Sequence, residues 1–286
     1  MLNCFSRGGS NILWNIFLSH PDACSPIYEI LEIFRLDRKG VTIAGIQAAW
    51  LTRQLRFFNQ WFLAQRRPIS SQAQQFIDAM LFLKKLLTLD DAEMRFREKN
   101  SVYTRKQVEQ ARLVTKNNNG LAFLTDIWLV MYPDAVFFAL TRDPLALYES
   151  HKRRKITRSP ADFAAFYTSI VRKMQTDAAR LPNYHLLKFE SLLSEPAAVA
   201  QDLYALAGLD SSPVTKLRLK AKSYMQAGGK YDTQREQGVH YWLSSDEIKN
   251  FLSPDVNRRQ IEQLVEAEIE ELTERLGPVR QELGYG

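Results

Sequence analysis

The chain has 286 residues, of which 45% are hydrophobic and 24% charged. This composition is that of an ordinary globular protein and excludes a disordered or low-complexity chain. No apolar run is long enough for a membrane span, and the residues before the first glycine turn leave no room for a signal sequence. The two cysteines are too few for a disulfide framework. We therefore expect a cytoplasmic protein without an integral membrane segment. The net charge of +6 favours an anionic partner, either nucleic acid or a small polyphosphorylated ligand.

The first elements are a strand, a glycine-rich turn and a helix. Residues 1–6 are apolar and compatible with a β-strand, and the helix from Asn11 to Ser19 carries apolar residues on one face. Pro21 ends this helix, because its ring disfavours helical geometry in the preceding residue. A second short extended segment is predicted near Cys24 to Tyr28.

Residues 40–100 are rich in aromatic residues and predict two helices, one before and one after Pro68. We expect them to form a helical insertion that caps the acceptor side of a site. The alternative is a packed helical pair with no role in ligand binding. The apolar residues at helical spacing are Ile46, Trp50, Leu51, Leu55, Phe58, Trp61 and Phe62, then Phe76, Ile77, Met80, Leu83, Leu86 and Leu87.

An alternation of strands and helices resumes at Ala111. Strands are predicted at residues 111–115, 135–140 and 184–189, and helices at 121–130, from Pro144, from Ser159 to Arg180 and from Ser194 to about Gly208. The middle strand is apolar on both faces, as is typical of a central parallel strand. We expect the remainder to be helical except for a polar stretch at 227–238. The pattern predicts a single α/β domain, 1–286, with a central parallel sheet flanked by helices.

The turn before the first helix has the composition of an anion-binding loop. Glycines let backbone amides approach an anion, and a helix N-terminus adds partial positive charge. A Walker A loop would need G-x-x-x-x-G-K-[S/T], so a P-loop phosphotransferase is disfavoured. A purely structural turn remains the alternative. The candidate residues are Arg7, Gly8, Gly9, Ser10 and Asn11.

A second motif follows the predicted central strand. Arg142 stands where that strand ends, the edge at which open α/β sheets bind ligands. Ser150 lies on the next helix, and an arginine fork with a hydroxyl suits a phosphate monoester. Pairing of Arg142 with Asp143, or a helix cap, is the alternative.

Together these motifs resemble the sulfotransferases that use 3′-phosphoadenosine 5′-phosphosulfate (PAPS). Residues 7–11 match the family's 5′-phosphosulfate loop, usually R-S-G-T-T, and are followed by His20-Pro21. Residues 132–150 match its strand and 3′-phosphate motif, residues 189–196 its "yEdLl-dP" segment, and Leu-Gly-Tyr285 its ending. The resemblance implies a P-loop-NTPase-like sulfotransferase fold with PAPS as donor. Gly8 and Asn11 depart from the usual serine and threonine but keep the loop small and able to form hydrogen bonds.

The same resemblance gives roles to further residues. It implies that Lys116 and Arg7 lie near the transferred group and that Glu29 is the catalytic base, with Glu32 as the rival because the spacing is about two residues longer than in tyrosylprotein sulfotransferases. It also implies that Gly229 and Lys230 belong to a loop that closes over the 3′-phosphate. A surface lysine, an exposed helix charge and a plain surface loop are the respective alternatives.

The acceptor is not identified by the sequence. A small-molecule, lipid-like or saccharide acceptor agrees with the aromatic helices of residues 40–100. The four histidines do not stand in a metal-binding spacing, so we expect no metal. A non-catalytic nucleotide-binding or nucleic-acid-binding module is the alternative from another class. It is disfavoured because binding alone requires neither Glu29 nor Lys116, and we expect no nucleic-acid partner.

Overall fold

The computed structural model describes residues 1–27, 29–30, 71–91, 102–221, 225–226, 229–230 and 238–285. Its strands are β1 (Leu2–Cys4), β2 (Ala23–Cys24), β3 (Arg112–Leu113), β4 (Lys116–Asn118), β5 (Phe137–Thr141), β6 (Tyr184–Lys188), β7 (Leu217–Lys220), β8 (Met225–Gln226), β9 (Gly229–Lys230) and β10 (His240–Leu243). Its helices are α1 (Ser10–Ser19), α2 (Ser71–Leu86), α3 (Arg105–Gln110), α4 (Thr125–Met131), α5 (Pro144–Arg153), α6 (Pro160–Arg180), α7 (Phe189–Ser194), α8 (Pro196–Leu206), α9 (Ser245–Phe251), α10 (Val256–Ile261) and α11 (Glu266–Glu282). Two 3-10 helices lie at Leu87–Leu89 and Asn119–Leu124.

Four parallel strands form the central sheet, in the order β4-β1-β5-β6. In register, Leu2 of β1 lies beside Lys116 of β4 on one side and Phe138 of β5 on the other. All five residues of β5 are buried, which agrees with a strand covered on both faces. The carboxyl ends of these strands meet at one edge, where the loop after β1 and the start of α5 also lie.

Two hydrophobic cores lie on opposite faces of the sheet. Phe137 and Ala139 of β5 belong to one core, which includes α6 and α11. Phe138 and Leu140 belong to the other, which includes α1 and α8. Because successive strand residues point to opposite faces, this division places helices on both sides of the sheet. The predicted α/β class, a central parallel sheet flanked by helices, is confirmed.

Local signals set several helix ends as predicted. Pro144 occupies the first turn of α5, where its missing amide hydrogen carries no penalty. The Ser159 side chain accepts a hydrogen bond from the amide of Asp162 and caps α6. Gly208 adopts φ 64° just after α8, as glycine commonly does at a helix C-terminus.

The prediction that the last part of the chain is helical outside 227–238 was wrong. β7 and β10 form an antiparallel pair, with Leu219 opposite Tyr241, and β7 packs against α1. Each strand has only four residues, and the pairing partner lies some twenty residues away, so no local period marks it.

Two elements earlier in the chain also differ from the prediction. The strand predicted at 111–115 is divided: β3 pairs with β2, and the sheet strand β4 begins only at Lys116. The helix predicted at 121–130 is a 3-10 helix followed by α4. Of the predicted cap at 40–100, only residues 71–91 belong to the described part, where α2 is helical as expected. None of the described helices is long and apolar enough to cross a membrane.

Candidate active site

The loop between β1 and α1 has a constrained backbone. Arg7 has φ 67° and Gly9 φ 93°, both in the left-handed region, and Gly8 between them does not. A Cβ atom on Gly8 would lie 3.0 Å from the Cβ of Phe5, and one on Gly9 would collide with the ring of Phe189. The amide of Gly8 donates to the carbonyl of Phe5 at 3.0 Å and closes a turn around Ser6 and Arg7. The two glycines therefore serve both the close approach and the turn.

The N-terminus of α1 faces this loop and carries no side-chain cap in the described structure. The amides of Ser10 and Asn11 stand in the first turn, where a helix offers them no acceptor of its own. Farther along, the amides of Ile12 and Leu13 donate to the carbonyl of Gly9 at 2.8 and 3.4 Å. Backbone donors and the positive end of the helix dipole thus converge on the loop, which suits a phosphate or sulfate group.

Lys116 connects this loop to the candidate base. Its Nζ atom lies 2.6 Å from Oδ1 of Asn11 and 2.5 Å from Oε1 of Glu29. The second carboxylate oxygen, Oε2, accepts a hydrogen bond from the side-chain amide of Asn118, also on β4. Both oxygens of Glu29 are therefore held, and a cation and a carboxylate stand side by side at the end of the loop.

Lys116 is only 3% exposed, and its Nζ also lies 4.5 Å from the centre of the Trp14 ring. A buried ammonium requires a partner charge or several acceptors, and here it has the carboxylate, an amide oxygen and an aromatic face. The alternative interpretation of Lys116 as a surface lysine in an asparagine-rich loop is wrong, because β4 pairs with β1 and carries it inside. Trp14 was missed by sequence reasoning, although it stands three residues after Asn11 on the same face of α1.

Arg142 follows β5 and contacts the backbone of the loop at Arg7. Its NH1 atom donates to the carbonyl of Arg7 at 2.8 Å, and its guanidinium lies 4.5 Å from the centre of the Phe189 ring. Its Nε atom donates to Oδ1 of Asn257 at 2.8 Å, and NH2 donates to Gln260. The structure thus brings the two predicted motifs into direct contact.

Ser150 lies on α5 at the same place. The Nε atom of Arg7 lies 3.4 Å from its Oγ atom, and Ser150 is 2% exposed. On the next residue, Nε2 of His151 lies 2.7 Å from the carbonyl oxygen of Ser6. The helix therefore reaches the loop at two consecutive residues. Arg7, Ser150 and Arg142 form one cluster of basic and hydroxyl groups beside the loop.

The C-terminal part of the chain holds this cluster in place, which sequence reasoning missed. Glu190 accepts hydrogen bonds from the amide of Asp143 at 3.1 Å, from the hydroxyl of Tyr285 at 2.9 Å and from the side-chain amide of Asn257. Asn257 thereby bridges Glu190 and Arg142. Asn257 belongs to a six-residue helix without a recognisable motif, so the sequence offers no signal for this contact. Glu190 lies in a recognised segment, and only its role was missing.

His20 is structural. Its Nε2 atom lies 2.6 Å from the carbonyl oxygen of Asp210, and its Nδ1 atom accepts a hydrogen bond from the amide of Asp22 at 3.0 Å. The side chain is fully buried and joins the end of α1 to the segment after α8. Its imidazole is therefore committed to packing and does not face the loop.

The rival base Glu32 and most of the polar stretch 227–238 lie outside the described residues. Gly229 and Lys230 are described only as the strand β9, which pairs antiparallel with β8. Their predicted contact with a 3′-phosphate stays a prediction. Within the described ranges there is no group of three or more His, Cys, Asp or Glu side chains that could hold a metal ion.

The fold and the site together define an α/β protein with a glycine-containing loop and a helix N-terminus at the carboxyl edge of a parallel sheet. The chain belongs to the sulfotransferase family, because the model of that family matches residues 3–213. No curated protein sequence matches the chain. The site residues from Ser6 to Glu190 lie inside the matched range, whereas Asn257, Gln260 and Tyr285 lie beyond it.

Two solved structures are similar over nearly the whole chain. One is the sulfotransferase domain from the olefin synthase of Synechococcus PCC 7002, at 15% identity and a TM-score of 0.46, covering 96% of this chain and 93% of that one. The other is the sulfotransferase domain from the curacin biosynthetic pathway, at 11% identity and a TM-score of 0.48, covering 96% of each chain. The family assignment rests on the family model and not on these distant likenesses.

Proposed function

We propose that the protein transfers a sulfonate group from PAPS to a hydroxyl or amine of a small acceptor in the cytoplasm. The observation that carries this proposal is the position of Lys116, whose Nζ joins Asn11 of the loop to Glu29. A cation and a carboxylate beside the loop support a transfer reaction, in which they would serve as charge stabiliser and base. Membership of the sulfotransferase family supports the same conclusion.

The donors around the loop fit a nucleotide with two separate anionic groups. Backbone amides of Gly9, Ser10 and Asn11 would hold the 5′-phosphosulfate at the N-terminus of α1. The amide of Gly8, a predicted member of the loop, donates to the carbonyl of Phe5 at 3.0 Å. Arg142 and Ser150, with Gly229 and Lys230 from the later loop, would hold the 3′-phosphate. The fork of an arginine suits a phosphate that must be held in one orientation. PAPS supplies the activated sulfonate when it is bound.

Transfer requires alignment and neutralised charge more than covalent help from the protein. By analogy with phosphoryl transfer, the transition state is loose and in line. The acceptor oxygen forms a bond to sulfur while the bond from sulfur to the 5′-phosphate oxygen breaks. Arg7 and Lys116 stabilise the negative charge on the moving sulfonate and on the departing oxygen.

Glu29 takes the acceptor proton in this scheme, so that the products are the sulfated acceptor and adenosine 3′,5′-bisphosphate. Its side chain is 30% exposed, whereas that of Lys116 is 2% exposed, so the carboxylate is the partner that faces an incoming acceptor. Asn118 keeps the carboxylate oriented when Lys116 turns from it toward the sulfonate. A positioned base of this kind contributes about 10²–10⁴-fold to the rate.

The test is a transfer assay with radiolabelled PAPS and mixtures of alcohols, saccharides, lipids and amines. Glu29→Gln should lower the rate about 10²–10⁴-fold and leave the affinity for adenosine 3′,5′-bisphosphate nearly unchanged, because glutamine keeps the shape but not the basicity. Glu32→Gln is the matched control and should retain the rate. If Glu32→Gln alone abolishes transfer, the base is Glu32. Labelled product with none of these acceptor classes would contradict the proposal.

A further inference from the structure

Ser6, the residue before Arg7, is held at three of its atoms. Its amide donates to Oδ1 of Asn119 at 2.8 Å, its Oγ atom accepts from Nδ2 of Asn119 at 2.9 Å, and its carbonyl oxygen lies 2.7 Å from Nε2 of His151. A carbonyl oxygen only accepts, so His151 is the donor. We propose that His151 and Asn119 form a clamp on Ser6 that fixes Arg7 in its left-handed backbone conformation. Their role as positioning residues in donor binding rests on the proposed function.

Arg7 needs such a constraint. A residue with a Cβ atom is disfavoured at φ 67°, and conformations of this kind persist where the surroundings over-determine them. The clamp fixes the peptide before Arg7, and Arg142 fixes the peptide after it through the Arg7 carbonyl. The clamp acts together with the turn that the Gly8 amide closes by donating to the Phe5 carbonyl at 3.0 Å, and so sets the shape of the loop.

His151 is itself rigidly placed. It is 1% exposed, and its ring lies 5.5 Å from the ring of Phe163 and 6.0 Å from that of Phe166, both on α6. Burial lowers the pKa of His151; the Ser6 carbonyl opposes this shift, and the charges of Arg7 and Arg142 add to it. The lowered pKa favours the neutral ring, and the contact with the Ser6 carbonyl requires its proton to be on Nε2. It follows Ser150 directly, so one turn of α5 serves both the clamp and the proposed phosphate site.

Amide hydrogen exchange of the nucleotide-free protein tests the clamp without any ligand. His151→Phe keeps a ring beside Phe163 and Phe166 but removes the hydrogen-bond donor. Amide exchange at residues 6–9 should become about five- to tenfold faster, because this factor corresponds to the net free energy of one hydrogen bond. His151→Gln, which can still donate, should restore the rate to within about twofold. His185→Phe is the matched control: His185 lies in β6, and the centre of its ring is 5.5 Å from that of Phe138.

Should His151→Phe fail to fold, Asn119→Gly offers a second route. It removes the other half of the clamp while glycine tolerates the φ of 56° at that position. The same increase in exchange at residues 6–9 is expected. Unchanged exchange in the clamp variants, or a change of equal size in His185→Phe, would overturn the proposal.

Affinity for adenosine 3′,5′-bisphosphate then tests the role of the clamp. His151→Phe should weaken binding about tenfold, with recovery in His151→Gln and no effect of His185→Phe. If the unaltered protein does not bind this nucleotide, the proposed function fails, yet the exchange experiment still decides whether the clamp exists. Faster exchange with unchanged affinity would overturn the assignment of His151 as a positioning residue.

Discussion

Replacing Glu29 and replacing Lys116 by methionine should have unequal effects on stability, although both substitutions break the same ion pair. Glu29→Met leaves the ammonium of Lys116 buried, with Asn11 and the face of Trp14 as its remaining contacts in the described part of the chain. The side chain of Lys116 is 2% exposed, so water does not replace the lost carboxylate. Removing one partner of a buried pair costs about 3–5 kcal/mol, and we expect a loss of unfolding free energy in that range.

Lys116→Met leaves the opposite charge in a different setting. The carboxylate of Glu29 is 30% exposed and keeps its hydrogen bond from Asn118. Water compensates part of the loss, and the expected cost is about 1–2 kcal/mol. The double variant contains neither charge, so its cost should fall below the sum of the two single costs by about 1–3 kcal/mol.

Urea denaturation of the nucleotide-free protein measures all four corners of this cycle. Circular dichroism before unfolding checks that each variant retains its fold. The reasoning is refuted if Lys116→Met destabilises the protein more than Glu29→Met does. Additivity of the two costs within about 0.5 kcal/mol would also refute it, because residues in direct contact should couple.

Three further outcomes are expected. Tyr285→Phe removes a hydroxyl that donates to Glu190 at 2.9 Å and should lower stability by about 1.5–3 kcal/mol in thermal unfolding, whereas no loss would remove Tyr285 from the site's support. Burial raises the pKa of Cys4 to about 12 from its ordinary 9.0, so the free energy of unfolding should fall as the pH rises from 9.0 toward 12. Urea titrations of Cys4→Ala should show a smaller fall over this pH range, and an equally steep fall would contradict the reasoning. Hydrogen exchange across 227–238 should slow when adenosine 3′,5′-bisphosphate is added, whereas protection confined to 7–11 and 142–150 would make that stretch an ordinary surface loop.

The parts of the fold that the sequence predicts are those with local causes. Pro144 and Ser159 mark helix starts through their own backbone and side-chain chemistry, and the all-apolar run before Thr141 marks a central strand. The loop at residues 7–11 is recognisable because its glycines are required within a few residues of each other. Its place beside Arg142, however, came from the family resemblance.

The parts that escaped prediction depend on distant partners. The role of Lys116 was expected from the family resemblance, but its burial depends on the pairing of its strand with Leu2, which the polar local sequence does not encode. Asn257 contacts Arg142 across 115 positions of sequence, which no local pattern encodes. The pairing of β7 with β10 has the same cause, since the register of two short strands is set by packing on α1.

Calorimetry with two nucleotides in metal-free buffer tests the central claim most directly. We predict micromolar affinity for adenosine 3′,5′-bisphosphate and much weaker binding of adenosine 5′-phosphate. Arg142→Ala should remove about 2–4 kcal/mol of the binding free energy of the bisphosphate, because a charge-assisted contact with the phosphate is lost together with the hydrogen bond that holds the Arg7 carbonyl. Equal affinity of the unaltered protein for the two nucleotides would contradict the account.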